Sequence, residues 1–413
     1  MDLEISTRLC ALDEEVRAAC AGRLAEVDRV AEKNALRVHG SFVDHHVALA
    51  DFSGTTGYGY DDRGRDNLDR VFAGAVGAED ALCRPQFMNG THAITVALFG
   101  MLRKGDVLLS VTGSPYDTLH KVVGIEGEGY GSLQEYGIIY REIPLLPDGS
   151  CDLDEIRRQS PDANVVYIQR SRGYDARRMS FGRAEIEPVI RAAKQANPNA
   201  KVIVDNCYGE YCEESEPCAY GADLIVGSLI KNPGGGIAET GGYIAGKADC
   251  VERCAHRLTV PGSGKEIGSY PFGYRSLYLG IYLAPMITAN ALKTGIYTSC
   301  LMEKLGFAVN PSFQEKRNDI TTSVAFGDEG KLIRFVQEIQ KTSPVDSFLT
   351  PEPWDMPGYA DPVIMAAGCF TAGSSIELSC DAPIRPPYTA YLQGGLNYSV
   401  SRYSILKAVD SIL

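Results

Sequence analysis

Ala222-Asp-Leu-Ile-Val-Gly-Ser-Leu-Ile-Lys231-Asn-Pro-Gly-Gly-Gly236 sets one lysine directly after an apolar, strand-like run and follows it at once with glycines. A lysine avoids such a place, because its ammonium loses hydration among apolar neighbours. Burial depresses the pKa of the amine, which is what Schiff-base chemistry requires. A second run, Lys201-Val-Ile-Val-Asp205-Asn-Cys-Tyr208, ends on a carboxylate. An acid and a lysine at the ends of successive strands suggest a pyridoxal phosphate site, in which the acid faces the pyridinium nitrogen. Around these two segments, apolar runs at 107–111, 137–140, 165–169, 201–205, 223–228 and 242–245 alternate with helix-like stretches, clearest at 185–196. Such alternation implies βαβ units and a mostly parallel sheet. Ligands of these sheets bind beyond the carboxyl ends of the strands, where Asp205 and Lys231 stand.

The flanks read differently. Residues 11–33 carry apolar side chains at helical spacing. Residues 47–65 are rich in glycine, aromatics and charge, the composition of a functional loop. The uncharged stretch 276–292 falls short of a bilayer span and is read as a buried helix. Beyond about 300 the elements are short, prolines are frequent, and a helix-like segment closes the chain at 401–413. The expected division is an N-terminal helix and inter-subunit loop over 1–66, a cofactor-binding large domain over 67–300 and a small domain over 301–413.

Composition narrows the function. With 413 residues there is room for two or three domains. A formal charge of −13 with no basic stripe argues against nucleic acid. The acidic N-terminus lacks the pattern of a secretory leader, so the 12 cysteines are expected as reduced thiols in a cytoplasmic protein. The spacing of Cys207, Cys212, Cys218, Cys250 and Cys254 does not match paired zinc ligands, and no metal site is expected. Glu210, Glu213, Glu214 and Glu216 read as a solvated acidic loop. Gly262-Ser-Gly264-Lys265-Glu266 is no P-loop, since Thr259 replaces the first glycine and Glu266 the hydroxyl residue.

Two further segments carry chemistry. Asn89-Gly90-Thr91 precedes an apolar helical run, and a glycine and a hydroxyl there make a phosphate cradle; an ordinary helix cap by Asn89 explains the same residues equally well. Ser114-Pro-Tyr116-Asp-Thr118 puts an aromatic at a strand end, where a planar ring could stack. With Gly54-Thr-Thr-Gly-Tyr-Gly-Tyr-Asp-Asp-Arg-Gly-Arg65, Asn89-Gly-Thr-His-Ala-Ile94, Val204-Asp-Asn-Cys-Tyr-Gly-Glu210, Ser228-Leu-Ile-Lys-Asn-Pro-Gly-Gly235 and Gln393-Gly-Gly395, the chain resembles the cystathionine and methionine lyase superfamily. More narrowly, it resembles the branch labelled methionine gamma-lyase family or aluminium resistance protein, over nearly its whole length.

That resemblance implies an α/β protein of pyridoxal phosphate fold type I, with a mostly parallel central sheet flanked by helices and a smaller C-terminal α+β domain. It implies that Lys231 bears the cofactor and shuttles the Cα proton, and that Asp205 keeps the pyridine nitrogen protonated. Asn89, Gly90, Thr91 and Ser228 would hold the phosphate. Tyr116 would stack on the ring and protonate a leaving thiolate. Tyr58, with Tyr60 and Arg63, matches the segment that reaches the phosphate of a neighbouring subunit, implying a homo-oligomer, a dimer of dimers, with shared active sites. Two departures bear on substrate. Ile230 stands where the superfamily has a threonine, and Gln169-Arg-Ser-Arg-Gly-Tyr174 replaces a Pro-x-Asn-Pro loop, so Arg170 and Arg172 are candidates for cofactor or substrate contacts. A substrate carboxylate calls for a bidentate arginine, and Arg385 before Pro386-Pro387 is the choice. The expected activity is elimination from a sulfur-containing amino acid, at the β or γ carbon. The alternatives are another pyridoxal phosphate enzyme (aldolase, aminotransferase or decarboxylase) and a low-turnover cofactor-binding protein linked to metal resistance.

Overall fold

The computed structural model describes residues 5–126, 130–173, 178–355 and 361–413. Its helices are α1 (Thr7–Asp44), α2 (Arg63–Val76), α3 (Gly90–Met101), α4 (Asp117–Val123), α5 (Leu153–Gln159), α6 (Arg183–Ala196), α7 (Ala248–Leu258), α8 (Arg275–Lys304), α9 (Glu329–Lys341) and α10 (Tyr398–Asp410). The strands are β1 (Asp80–Arg84), β2 (Val107–Ser110), β3 (Ile139–Glu142), β4 (Val165–Gln169), β5 (Lys201–Asp205), β6 (Leu224–Ser228), β7 (Gly242–Gly246), β8 (Ala308–Asn310), β9 (Thr321–Ala325), β10 (Val363–Ala366), β11 (Ser379–Pro383) and β12 (Thr389–Gln393).

Two compact units emerge. The larger comprises residues 33–283 and the smaller residues 1–32 with 284–413. In the larger unit, β1 to β7 form one sheet in the order β1-β7-β6-β5-β4-β2-β3. The neighbours from β3 to β6 pair in parallel, and β7 runs antiparallel to both β6 and β1. Strands covered on both faces read as continuous apolar runs, and β2 and β6 are buried at every residue. Leu82, Leu108, Ile203, Val226 and Ile244 of this sheet form one core with Ala93, Val96 and Ala97 of α3.

Two elements depart from the sequence pattern for local reasons. β3 begins two residues after the expected 137, because Gly137 takes a left-handed turn (φ +80) and its carbonyl closes a hydrogen bond from Gly105. β1 was not expected at all: Asp80 and Arg84 bracket it with charge, and the Arg84 guanidinium is buried against Asp69 at 2.5 Å.

The smaller unit contains an antiparallel sheet, β10-β11-β12-β9-β8, backed by α9 and α10. Leu9, Val16 and Cys20 of α1 share its core with Ile296, Leu301, Val324, Phe335 and Ile405. The part of α1 up to Glu32 thus belongs with the C-terminal third of the chain, a pairing that periodicity cannot reveal. The stretch 276–292 lies within α8. Among the described residues no helix is long and apolar enough to cross a membrane. All 12 cysteines are free thiols.

Candidate active site

Sheet topology brings the chemistry-bearing residues together. β4, β5 and β6 lie side by side, with Gln169 opposite Asp205 and Asp205 opposite Val226. Asp205 and Ser228 therefore end adjacent parallel strands, and Lys231 follows three residues beyond Ser228. The Asp205 carboxylate is buried and fixed at both oxygens: the Cys207 amide donates to Oδ1 at 3.1 Å and the Tyr167 hydroxyl to Oδ2 at 3.3 Å. Such anchoring aims the acid.

The N-terminus of α3 closes in from the side. Asn89 is its cap, accepting from the His92 amide at 2.8 Å, so the capping reading of Asn89 holds for its side chain. Gly90 and Thr91 occupy the first turn, whose amides have no intrahelical acceptor. A Cβ at position 90 would stand 3.3 Å from the Ser228 Cβ and 3.4 Å from the Cys207 sulfur, so the helix end is pressed against the ends of β5 and β6. Ser228 Oγ is buried there with no hydrogen-bond partner among the described residues. An orphaned hydroxyl beside a helix N-terminus is a site shaped for an anion. Thr91 Oγ1 lies 3.0 Å from Thr118 Oγ1, which ties α3 to α4.

Lys231 is half-buried, and its Nζ sits over the Tyr208 ring at 4.0 Å from the centroid. Tyr208 adopts a left-handed conformation (φ +73), a strained choice for a residue with a side chain. The expected depression of the lysine pKa is not found. Burial does oppose the charge, but Cys207, Tyr208, Asp205 and Glu210 face the amine and hold the free ammonium above its ordinary value. Cys207 itself is pushed well up by burial and by Asp205.

Tyr116 begins α4, half-buried, with its amide donating to Gln169 Oε1 at 2.6 Å. Its ring lies against Gly173, where a Cβ would stand 3.4 Å away. Arg172 is buried and donates to the Arg178 carbonyl from Nε at 3.3 Å and Nη2 at 3.2 Å. Tyr174 lies outside the described residues.

Arg170 does not serve the site as expected. It is fully buried, bonded to Glu213 (2.8 Å), Asn206 (2.9 Å) and the Phe181 carbonyl (3.0 Å), with Glu216 3.6 Å away. The acidic run is consequently no solvated loop. Glu210, Glu213 and Glu216 are buried, and only Glu214 reaches the surface, where it pairs with Lys33. A charge run reads as solvated until a partner arrives from a distant strand, and Arg170 at the end of β4 is that partner. No cluster of metal-ligating side chains occurs among the described residues.

Three expected residues of the larger unit, Tyr58, Tyr60 and Arg63, have surroundings of their own. Tyr58 and Tyr60 are 73% and 62% exposed and stack on each other at 5.6 Å. Arg63 pairs with the buried Asp51 and borders a cavity of about 370 Å³, shared with His45, His46 and Arg70, that Lys231 does not line. Arg385, in the smaller unit, is half-exposed and bonded to Asp361 at 3.1 Å. Tyr208 and Glu210 face the lysine without having been anticipated; both stand in the motif around Asp205, but nothing in a linear sequence marks which side chains turn toward Lys231.

Residues 9–413 match the family model described as methionine gamma-lyase. The uncharacterized protein YnbB of Bacillus subtilis (strain 168) is 50% identical over 401 residues, covering 97% of this chain and 95% of YnbB. The crystal structure of a carbon-sulfur lyase involved in aluminum resistance from Clostridium novyi NT is 47% identical, with a TM-score of 0.95 over 99% of this chain and 97% of its own. The pyridoxal-5'-phosphate dependent protein YhfS of Escherichia coli shares the fold at 16% identity, with a TM-score of 0.64 over 94% of this chain and 97% of its own.

Proposed function

The chain belongs to the methionine gamma-lyase family, and from that premise we propose that it is a pyridoxal phosphate-dependent carbon-sulfur lyase, converting a sulfur-containing amino acid into a thiol, a 2-oxo acid and ammonia. The observation that carries this reading is the convergence of Lys231, Asp205 and the orphaned Ser228 hydroxyl with the α3 N-terminus at the ends of β5 and β6.

The residues fit the cofactor by their chemistry. The Gly90 and Thr91 amides and the Ser228 hydroxyl would hold the phosphate, and the Asp205 carboxylate would hold a proton at the ring nitrogen. Bound pyridoxal phosphate supplies an electron sink in conjugation with Cα of the amino acid. Lys231 then takes the Cα proton, a task suited to an amine whose surroundings favour the ammonium. With the cofactor bound, Tyr116 would border its ring and deliver a proton to the leaving sulfur. Arg172 and Arg385 are the candidates for the substrate carboxylate. Tyr58, Tyr60 and Arg63 complete the site of a neighbouring protomer in a homo-oligomer.

The test offers the purified yellow protein methionine, cystathionine, cysteine and threonine and measures thiol and 2-oxo acid. Thiol and 2-oxo acid in equal amounts from a sulfur substrate are expected; their absence from all three overturns the reaction. Borohydride reduction followed by denaturation should leave the chromophore covalently attached in the wild type and lose it in Lys231→Ala.

A further inference from the structure

The loop that leaves β4 opens on Gln169, whose side chain has no task in the chemistry above. Gln169 is 1% exposed, and both polar atoms of its amide bind main chain. Oε1 accepts from the Tyr116 amide at 2.6 Å, and Nε2 donates to the Ser171 carbonyl at 3.1 Å. One side chain therefore bridges two loops, the one that leads from β2 into α4 and the one that leaves β4. The bridge needs an acceptor and a donor on the same side chain, which a glutamine amide supplies. It stands at the carboxyl end of the sheet, with Gln169 opposite Asp205 in the register of β4 and β5.

Both loops bear on the Tyr116 ring. The main chain of Tyr116 is held at each end, its N–H by Gln169 and its carbonyl by the Leu119 amide at 2.7 Å. The ring lies against Gly173, two residues beyond Ser171, where a Cβ would stand 3.4 Å from Cδ2 and 3.8 Å from Cε2. Gly173 is left-handed there (φ +61), a conformation that glycine adopts without strain. The point at which the ring leaves the chain and the surface on which it rests are thus tied to one amide.

Other bonds join the same loops without the Gln169 side chain. The Gln169 main-chain amide donates to Thr112 Oγ1 at 3.0 Å. Arg178 donates to the Gln169 carbonyl at 3.1 Å and to the Ser114 carbonyl at 3.3 Å. Loss of the side-chain amide leaves these ties in place and acts on Tyr116.

We propose that Gln169 is a positioning residue for Tyr116, holding its ring in the orientation that meets the bound cofactor. The role rests on the reading of Tyr116 as the residue that borders the cofactor ring.

The full chain is measured with and without pyridoxal phosphate. In the cofactor-free chain, hydrogen–deuterium exchange resolved to the Tyr116 amide should show protection in the wild type and exchange about tenfold faster in Gln169→Met. Gln169→Glu should keep the protection, because it presents an oxygen to that amide in either protonation state. Affinity for pyridoxal phosphate, read by absorbance titration, should fall about tenfold in Gln169→Met when Tyr116 is present. The same substitution should change nothing in a Tyr116→Ala chain, since a residue that acts through a ring has no effect once the ring is gone. A residue with only a structural task would lower affinity equally in both backgrounds. Equal losses in the two, a Tyr116 amide whose exchange Gln169→Met leaves unaltered, or a Gln169→Glu chain that exchanges as fast as Gln169→Met, each overturns the proposal. A Tyr116→Ala chain that binds the cofactor as tightly as the wild type removes the reading of Tyr116, and the proposal with it. Thiol and 2-oxo acid are measured separately, so failure of the lyase reaction is distinguishable from failure of the Gln169 role.

Discussion

A buried hydroxyl without a partner is a standing cost to the folded chain, and Ser228 carries one. Its replacement should therefore act in opposite directions on two measurements. Ser228→Ala leaves the cofactor-free chain as stable as before or more stable by up to about 1 kcal/mol in urea unfolding. The same variant weakens pyridoxal phosphate binding roughly tenfold in an absorbance titration, through loss of one hydrogen bond to a charged group. A stripped chain that loses stability would show instead that the hydroxyl has a structural task. Glu210 gives a second signed expectation. Its carboxyl titrates near 8 in the folded chain against an ordinary value of 4.5, so the unfolded chain binds fewer protons between those values. The associated stability is present below pH 4.5 and is lost as pH rises to about 8. Urea unfolding across that window should fall with pH in the wild type and flatten in Glu210→Gln.

The connection after β5 shows how an element can be misread in one dimension and explained in three. Arg170 from β4, Asn206 and Glu216 from the β5 connection, and the α6 N-terminus through the Arg183 amide on Glu213 (2.9 Å) meet in one buried network. Removing its only guanidinium among these partners leaves two buried carboxylates without their counter-charge. Arg170→Met should accordingly destabilise the chain by about 3–5 kcal/mol in urea unfolding, while an arginine serving only substrate would change kinetics and leave stability alone. What was legible beforehand follows the same division. β4 and β5 were readable to the residue because strands buried on both faces are unbroken apolar runs, and Asp205 and Lys231 stood out because they interrupt such runs. The acidic run, the bracketed strand β1 and the turn of Tyr208 were not, because each depends on a partner remote in sequence: Arg170, Asp69 and Lys231. Local pattern carries burial well and carries charge pairing poorly.

At the scale of the molecule, the residues assigned to the cofactor all belong to the larger unit, whereas Arg385 belongs to the smaller. The larger unit also displays exposed aromatic rings. The loop bearing Tyr58 and Tyr60 is pinned, with the Tyr58 carbonyl accepting from the Gly268 amide at 2.9 Å, the Gly57 carbonyl from Ser269 Oγ at 2.8 Å and the Thr55 amide donating to the Tyr270 carbonyl at 3.3 Å. A well-held loop that still exposes two stacked rings, with Phe272 86% exposed nearby in sequence to its partner strand of chain, leaves apolar surface in water that assembly would cover. If that assembly brings Tyr58 to a neighbour's cofactor, inactive variants should complement each other. Tyr58→Ala carries an intact Lys231, and Lys231→Ala carries an intact Tyr58, so a mixed dimer contains one complete site. Co-expression with two affinity tags should yield hybrids, and a randomly mixed population should recover about a quarter of wild-type thiol release, set by the two-fold arrangement of the sites. Hybrids no more active than the separate variants would place each site within a single protomer, and the exposed rings would then need another explanation.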